Sequence, residues 1–368
     1  MSTGIEPETS QQQKTAEVRA LEEALPSVAK RVRELPASAP WAILGATVVV
    51  VGGGLLTAGR GIGLAVFATT VVYAMAVYLI SRVVEGPRKA TDRLVTVLVT
   101  TAFLIAMIPL VSVIVTVLAN GLARFDVAFF TNSMRGVVGE GGGGYHAILG
   151  TLIITALAAL MSIPVGLLTA VYLVEYGRGR LSRAITFFVD VMTGIPSIVA
   201  GLFAFALFAL FFGPGVRLGI MGAVALSVLM IPIVVRATEE MLRIVPDRLR
   251  EAAYALGVPK WRMIVKVVLP TALAGIVSGV MLAIARIIGE TAPLLVTTGA
   301  TASMNYNPFG GRMENLAAFA FSQYRNPGIP KESFLDRAWA AALTLILIVM
   351  LLNLAGRVVY RRFGTEIR

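Results

Sequence analysis

Eight apolar runs, each near the length that crosses a membrane, are the feature that most constrains how this chain can fold. A helix needs about 20 predominantly apolar residues to cross the hydrocarbon core of a bilayer. Runs near that length lie at about 41–59, 62–81, 94–119, 147–174, 185–212, 218–236, 273–299 and 338–356. With 57% hydrophobic and 14% charged residues, the chain lacks the polar surface that a soluble fold of 368 residues requires. We therefore predict an all-α membrane protein with eight spans.

Basic residues are distributed unevenly between the segments that join these runs. An even number of spans puts both termini on one side, and the segments on that side hold 23 Lys and Arg residues. The opposite side holds 8, and Arg286 alone lies within a span. Because cytoplasmic loops carry the excess of Lys and Arg, both termini are predicted to be cytoplasmic. The net charge of +11 is thereby assigned to an anionic membrane surface rather than to nucleic acid.

The N-terminal part of the chain is organised differently from the rest. Its first apolar run begins only at Trp41, after a polar stretch, so a cleaved signal peptide is not expected. The first two runs are joined by a short turn and are predicted to form an extra hairpin. The predicted parts are a cytoplasmic, partly disordered tail at 1–40, the extra hairpin at 41–81, a basic cytoplasmic linker at 82–93, and a six-span core at 94–368 whose charged loop covers 237–272.

Several kinds of active site are absent from the sequence. Cysteine is missing, and because no lysine follows a glycine there is no GxxxxGK[ST] phosphate loop. The HExxH zinc motif is missing as well. The single histidine, His146, lies at the entrance of the fourth run, and we interpret it as structural. The chain itself therefore shows no means of hydrolysing ATP and no cofactor site.

A short helix is predicted inside the charged loop. Pro246 ends the incoming helix, and Asp247 is a suitable N-cap for the helix that follows. Gly257 can adopt the left-handed conformation that closes a helix, and Pro259 prevents the helix from continuing. The small apolar residues of this helix suit insertion into the groove of a partner. A solvated connector that lies flat on the lipid is the alternative that the local pattern leaves open.

A second charged feature lies inside the seventh run. Arg286 and Glu290 are four residues apart, so a continuous helix would bring them onto one face, where they can pair. A charge at the bilayer centre costs about 2.5–3.5 kcal/mol on insertion scales, so such residues need compensation. Gly289 and Pro293 weaken the helix there, and Thr291 could cap a new half-helix whose positive end faces a pathway. We predict that these groups influence the passage of an anion; a purely structural pair that holds helices together is the alternative.

The charged loop resembles the EAA loop in the membrane subunits of binding-protein-dependent ABC importers. At the matching spacing stand Glu251-Ala252-Ala253, Gly257 and Leu269-Pro270, with Val267 where Ile is usual. The resemblance implies the transmembrane fold of a type I ABC importer, in which this loop forms a coupling helix within a cleft of a separate ATPase subunit. On that basis Glu251, Ala252, Ala253 and Gly257 are expected to couple to the ATPase, which would bind ATP and Mg.

The seventh run also resembles the membrane subunits of the bacterial phosphate importer. Gly289-Glu290-Thr291, followed by Ala292-Pro293-Leu294-Leu295, is similar to the PstA-type subunit rather than to its PstC-type partner. The resemblance, which covers about residues 90–368, implies a multi-pass permease in the bacterial inner membrane with Arg286, Glu290 and Thr291 on the substrate path. The implied partners are a PstC-type permease, a PstB-type ATPase dimer and a PstS-type extracytoplasmic phosphate-binding protein.

Three other functions remain open on the sequence alone. The same machine could carry another oxyanion, such as sulfate, molybdate or phosphonate. A membrane scaffold could sense phosphate through the same complex without being required for flux. A passive channel would let an anion cross without ATP.

Overall fold

The computed structural model describes residues 35–363, and within them all regular structure is helical. The predicted tail at 1–40 lies almost entirely outside the described residues. In chain order the helices are α1 (Ala39–Thr57), α2 (Ile62–Val84), α3 (Pro87–Gly121), α4 (Val127–Thr131), α5 (Tyr145–Tyr176), α6 (Arg180–Thr193), α7 (Ser197–Phe212), α8 (Gly219–Ile244), α9 (Asp247–Ala255), α10 (Lys260–Ile288), α11 (Ala292–Thr297), α12 (Leu316–Arg325) and α13 (Lys331–Phe363).

Seven of the described helices are long and apolar enough to cross a membrane, and the fifth predicted span is not among them. The run at 185–212 instead forms α6 and α7, which are bent by 108° relative to each other. The bend lies at Gly194-Ile195-Pro196, where α6 ends and Pro196 takes an extended conformation with ψ 136°. Because proline lacks the N–H that continues a helix, a long apolar run does not guarantee one straight span.

The chain divides into two compact units, with the boundary between Val113 and Ile114 inside α3. In the first unit α1 and α2, which are joined by a short turn, pack against each other. The segment predicted as a linker, 82–93, contains only a two-residue break, Glu85-Gly86. Gly86 has a φ of +93°, which glycine adopts readily, and Pro87 then begins α3. Most of the predicted linker is therefore helix.

Glu85 holds this break together from a buried position. Its carboxylate, of which 1% is exposed, accepts hydrogen bonds from Arg93 Nε at 2.6 Å and Arg93 Nη2 at 2.8 Å. Ser81 Oγ, at 2.5 Å, and the Leu35 N–H, at 2.8 Å, donate to the same carboxylate. The Arg93 hydrogen bonds, helped by Ser81 and Leu35, outweigh burial and lower the pKa of Glu85 to about 2.

In the second unit, α5 packs against α8, α8 packs against α10, and α10 packs against α13. The core between them is apolar, and Ile154, Met230 and Ile287 are almost fully buried. Two glycines allow the helices to approach closely, because a Cβ on Gly166 would lie 2.6 Å from Val234 Cγ1 and one on Gly279 would lie 2.5 Å from Ala237 Cβ. This close packing fixes the ends of the helices, from which the charged loops emerge.

We expect Glu85→Gln to loosen the join between α2 and α3. The substitution keeps the size of the side chain but removes the anion that Arg93 contacts, and hydrogen bonds to charged groups contribute about 1.5–3 kcal/mol. Trypsin cleavage after Arg88 and Lys89 in detergent-solubilised protein should become several-fold faster. Asp92→Asn, which changes an exposed carboxylate on the same helix, is the matched control. Equal cleavage of the two variants would contradict a stabilising role for Glu85.

The same contact predicts how this join responds to acid. Because the folded pKa of Glu85 is lowered, its stabilisation is complete above the ordinary carboxyl pKa of 4.5 and is lost as the pH falls through about 2. The ratio of the cleavage rates of Glu85→Gln and wild type should therefore stay constant across the neutral range, where the activity of trypsin itself cancels from the ratio.

Candidate functional site

The charged loop contains α9 as a separate short helix, as the sequence predicts. Its N-terminus differs from the prediction, because Pro246 occupies the N-cap position and Asp247 is the first helical residue. No side chain caps this end of α9. The Asp247 carboxylate instead lies in the first turn, where the helix dipole favours a negative charge, and accepts a hydrogen bond from Arg250 Nη1 at 3.0 Å.

The C-terminus of α9 confirms the turn predicted at Gly257. This residue has a φ of +72°, in the left-handed region. Its N–H donates to the Tyr254 carbonyl at 2.9 Å, and the Val258 N–H donates to the Ala253 carbonyl at 3.1 Å. These two bonds close the helix in the manner of a Schellman motif, and Pro259 directs the chain into α10.

The four residues expected to face an ATPase do not all lie on the exposed surface of this segment. Glu251, Ala252 and Gly257 are exposed, and the neighbouring Leu256 is 82% exposed. Ala253 is instead buried and joins the hydrophobic core of the second unit. A partner can therefore contact the first two residues of the motif, while Ala253 seats α9 against the core.

Arg286, Glu290 and Thr291 lie at an interruption between α10 and α11. Since α10 ends at Ile288, the expectation that Arg286 and Glu290 share one continuous helix was wrong. Arg286 is exposed and Glu290 half-buried, and no ion pair within 4 Å joins them in the described part of the chain. Thr291 occupies the N-cap position of α11, but its side chain forms no capping hydrogen bond, and α11 has only 6 residues.

A second group of charges, which sequence inspection missed, joins α6 to the end of α8. Arg236 forms ion pairs with Asp190 of α6 and, at 2.9 Å, with Glu239. Arg243 contacts the other oxygen of Glu239 at 2.6 Å. Only 7% of the Glu239 side chain is exposed, so this carboxylate is neutralised from both sides.

The sequence did carry a signal for this group. Arg236, Glu239 and Arg243 follow a spacing of three and four residues, which places them on one face of α8. They lie at the end of the sixth apolar run, where basic residues also serve to set the orientation of the chain. Asp190 lies within the fifth run, and its contact with Arg236 depends on the bend between α6 and α7.

An open pocket with both polar and apolar lining residues lies near the N-terminus of α5, among residues of the second unit. It has a volume of about 290 Å³ and contains the buried side chains of His146 and Glu314. Both ring nitrogens of His146 lack a hydrogen-bond partner within the described residues, and the ring packs edge-to-face on Phe319. The remaining lining residues are Met134, Val137, Ala300, Thr301, Ala302, Ser322 and Gln323.

Arg337, which the sequence places in an external segment, is fully buried beside this pocket. It donates from Nε to Gln323 Oε1 at 3.0 Å and from Nη1 to the carbonyls of Gly139 and Gly141 at 2.8 and 2.9 Å. The glycine-rich segment 139–144 is thus held in place by the Arg337 guanidinium. No group of three or more His, Cys, Asp and Glu side chains that could hold a metal occurs among residues 35–363.

Glu314 has no cationic partner in the described chain to compensate its burial. Desolvation raises the pKa of its carboxyl to about 7, although the Thr301 N–H donates to it at 2.7 Å and acts in the opposite direction. The folded protein therefore favours the protonated acid. The resulting penalty is absent below the ordinary pKa of 4.5 and grows as the pH rises through about 7.

Long apolar helices, together with a short exposed helix between two of them, define a multi-pass membrane protein. Residues 162–368 match the family described as the binding-protein-dependent transport system inner membrane component. The chain is 49% identical over 275 residues to the phosphate transport system permease protein PstA 1 of Mycobacterium tuberculosis (strain CDC 1551 / Oshkosh), an alignment that covers 74% of this chain and 89% of that protein. This chain belongs to that transport family and, within it, to the PstA permease proteins.

More distant relatives and a solved structure agree with this assignment. The PstA protein of Yersinia pestis is 36% identical over 282 residues, which cover 75% of this chain and 92% of the relative. A crystallised bacterial alginate ABC transporter, in complex with an alginate-bound periplasmic protein, aligns over 74% of this chain and 95% of its own with a TM-score of 0.55. At 13% identity this similarity shows the fold alone, which is that of an ABC importer's membrane domain.

We expect Glu314→Gln to reduce the pH dependence of thermal stability. The amide can still accept the Thr301 hydrogen bond, but it carries no charge that burial would penalise. The wild-type protein should become less stable between pH 5 and pH 8 as Glu314 ionises, and the variant should lose much of that decline. Melting temperatures in detergent across this range measure the effect, with Glu140→Gln, at an exposed carboxylate, as the control. Parallel curves for wild type and Glu314→Gln would contradict the assignment.

Proposed function

We propose that this chain is a permease subunit of an ATP-driven phosphate importer and forms half of its translocation path. The observation that carries this proposal is the 49% identity to a protein named as a phosphate transport system permease, over 89% of that protein's length. The fold supports the same conclusion, because seven apolar helices and a bent pair supply the multi-pass architecture of a permease.

Coupling to ATP is assigned to the segment around α9. This helix lies between two long apolar helices, exposes Glu251, Ala252 and Leu256, and ends at a glycine turn. An exposed short helix of this kind can enter a groove on a partner. Since the sequence has no phosphate loop, ATP and Mg would be bound by a separate ATPase subunit, and this chain would hold no cofactor of its own.

The orientation of the chain follows from its basic residues. With the bent pair of α6 and α7 counted as one span, the number of spans is eight, and the positive-inside excess supports a cytoplasmic position for both termini and α9, where the ATPase would be. The opposite face would then meet an extracytoplasmic phosphate-binding protein of the PstS type. A PstC-type permease would complete the path, and a dimer of PstB-type ATPase subunits would drive it.

The substrate path is proposed to pass Arg286, Glu290 and Thr291. The guanidinium of Arg286 is exposed and not engaged by Glu290, so its paired donors are available to an oxyanion. Glu290 and Thr291 lie in the break between α10 and α11, outside both helices, and membrane proteins tolerate such breaks where they line a cavity or a protein interior.

The hairpin of α1 and α2 is proposed to be an addition to a six-span core. The PstA relative of Mycobacterium tuberculosis aligns over 74% of this chain, so about a quarter of the chain lies outside that alignment. The six core spans would be α3, α5, the bent pair of α6 and α7, α8, α10 and α13.

Competition during uptake tests the proposed cargo. Cells that express this chain with its permease, ATPase and binding-protein partners should take up labelled phosphate in an ATP-dependent manner. Excess unlabelled phosphate should abolish this uptake, whereas equal sulfate, molybdate or phosphonate should not. Indifference to phosphate would reject this cargo, and flux without ATP would indicate a passive channel.

Glu290→Gln separates transport from a scaffold role. In an assembled complex the variant should reduce phosphate uptake, because it changes the charge balance beside Arg286 on the proposed path. Unchanged uptake with an altered regulatory output would favour the scaffold. Glu332→Gln, at an exposed carboxylate in the first turn of α13, is the control.

We expect Gly257→Val to uncouple ATP hydrolysis from transport. A Cβ at this position would have open space around it, so the penalty comes from the left-handed φ alone, about 1–2 kcal/mol for most residues. Gly257→Asn is the matched variant, since Asn tolerates this conformation. The Val variant should transport less phosphate per ATP hydrolysed than the Asn variant. Wild-type transport by the Val variant would show that coupling does not require this turn.

A further inference from the structure

The carboxylate of Glu175, at the end of α5, is one of the most buried charged groups near α9. Only 5% of its side chain is exposed. Its Oε1 lies 3.0 Å from both Nε and Nη2 of Arg250, which is in the middle of α9. The two residues are 75 positions apart in the sequence, so this ion pair joins two separate parts of the fold.

Arg250 also binds the C-terminus of α8. Its Nη1 donates to the Val245 carbonyl at 2.6 Å, and its Nη2 donates to the Leu242 carbonyl at 2.9 Å. These carbonyls belong to the last turn of α8 and to the residue after it, where backbone acceptors lack partners within the helix. One side chain of α9 is therefore attached both to the helix before it and to α5.

A second cation reaches the same end of α5 from the other side of α9. Lys260, the first residue of α10, donates from Nζ to the backbone carbonyl of Glu175. The same ammonium lies 4.6 Å from the centre of the Tyr176 ring, within the range of a cation–π contact. The segment from Arg250 to Lys260 thus holds the end of α5 at two points.

The end of α5 that receives these contacts has little freedom to adjust. It has π-helical geometry over Tyr172–Tyr176 and is followed by Gly177. A Cβ on Gly177 would lie 2.5 Å from the Leu173 carbonyl oxygen and 2.8 Å from Ser182 Oγ. The chain is therefore closely packed directly after Glu175, at the turn where the contacts from Arg250 and Lys260 arrive.

We infer that the Glu175–Arg250 ion pair transmits displacement of α9 to α5, which makes Glu175 a positioning residue for transport. This inference rests on the proposed function, in which an ATPase moves α9. The chain connects α9 directly to α8 and, through a short turn, to α10. The ion pair also connects α9 to α5, and α5 packs against α8.

The ion pair of Arg250 with Glu175 is more buried than its ion pair with Asp247. Arg250 is 14% exposed and Glu175 5%, so water does not readily replace either partner. Asp247 also contacts Arg250, but its side chain is 87% exposed. Exposed ion pairs contribute little, whereas loss of one member of a buried pair leaves the other unpaired.

Variants at Glu175 test the inference in the complete reconstituted transporter. Glu175→Ala removes the contact but leaves Arg250 bound to the α8 carbonyls, so α9 should keep its fold. We expect ATP hydrolysis to persist while phosphate transported per ATP falls by about tenfold or more. Glu175→Gln, which can still accept a hydrogen bond from Arg250, should lose less. Glu332→Gln, at an exposed carboxylate outside α9 and its contacts, is the control and should leave this ratio within about twofold of wild type.

The ratio of transport to hydrolysis distinguishes transmission from simple stabilisation. A residue that only stabilises the fold would lower the amount of assembled complex, and both activities would fall together. If Glu175→Ala does not assemble, the isosteric Glu175→Gln decides, because transmission predicts a reduced ratio in that assembled complex too. A wild-type ratio in whichever variant assembles would overturn the inference.

Failure of the proposed function would look different. If the wild-type complex itself did not couple phosphate uptake to ATP, the function would be rejected before any variant was compared. If wild type is coupled and the Glu175 variants remain equally coupled, the function stands and only the role of Glu175 is rejected.

Discussion

The structure depends on the requirement that backbone N–H and C=O groups be satisfied without water. In hydrocarbon each unpaired group costs several kcal/mol, so the apolar runs must become helices. The polar chemistry of the chain is consequently concentrated where helices end or bend. The ion pairs of Glu85, Glu175 and Glu239 all lie at such places, and the break between α10 and α11 carries the residues proposed for the substrate path.

The parts of the fold that depend on local composition could be predicted from the sequence. The length of the apolar runs predicts seven of the spans, because a helix must be long and apolar enough to cross the lipid. Gly257 predicts the turn after α9, because few other residues adopt a φ of +72°. The bend at Gly194–Pro196 could not be read from run length. The chain stays apolar on both sides of it, and only the missing N–H of Pro196 indicates the change of direction.

Contacts between distant segments account for most of what sequence inspection missed. The charged pair at Arg286 and Glu290 was inferred from helical spacing, which fails once α10 ends at Ile288. The ion pair between Glu175 and Arg250 spans 75 residues, and no periodicity links the two positions. Ala253 belongs to the motif that was expected to contact the ATPase, but it is buried in the hydrophobic core of the second unit. Motif spacing identifies a segment, whereas the packing of that segment decides which of its residues remain accessible.

The buried carboxylates differ in what compensates them, and this difference assigns them different roles. Glu175 and Glu239 each contact guanidinium groups, so their charge can be kept in a dry environment and can hold two helices together. Glu314 has only a backbone N–H, and burial therefore moves its pKa into the neutral range. A carboxylate compensated in this way holds two helices together through its ion pairs. Burial raises the pKa of the uncompensated Glu314 to about 7, so the charge in the pocket that it shares with His146 depends on the pH of the surrounding solution.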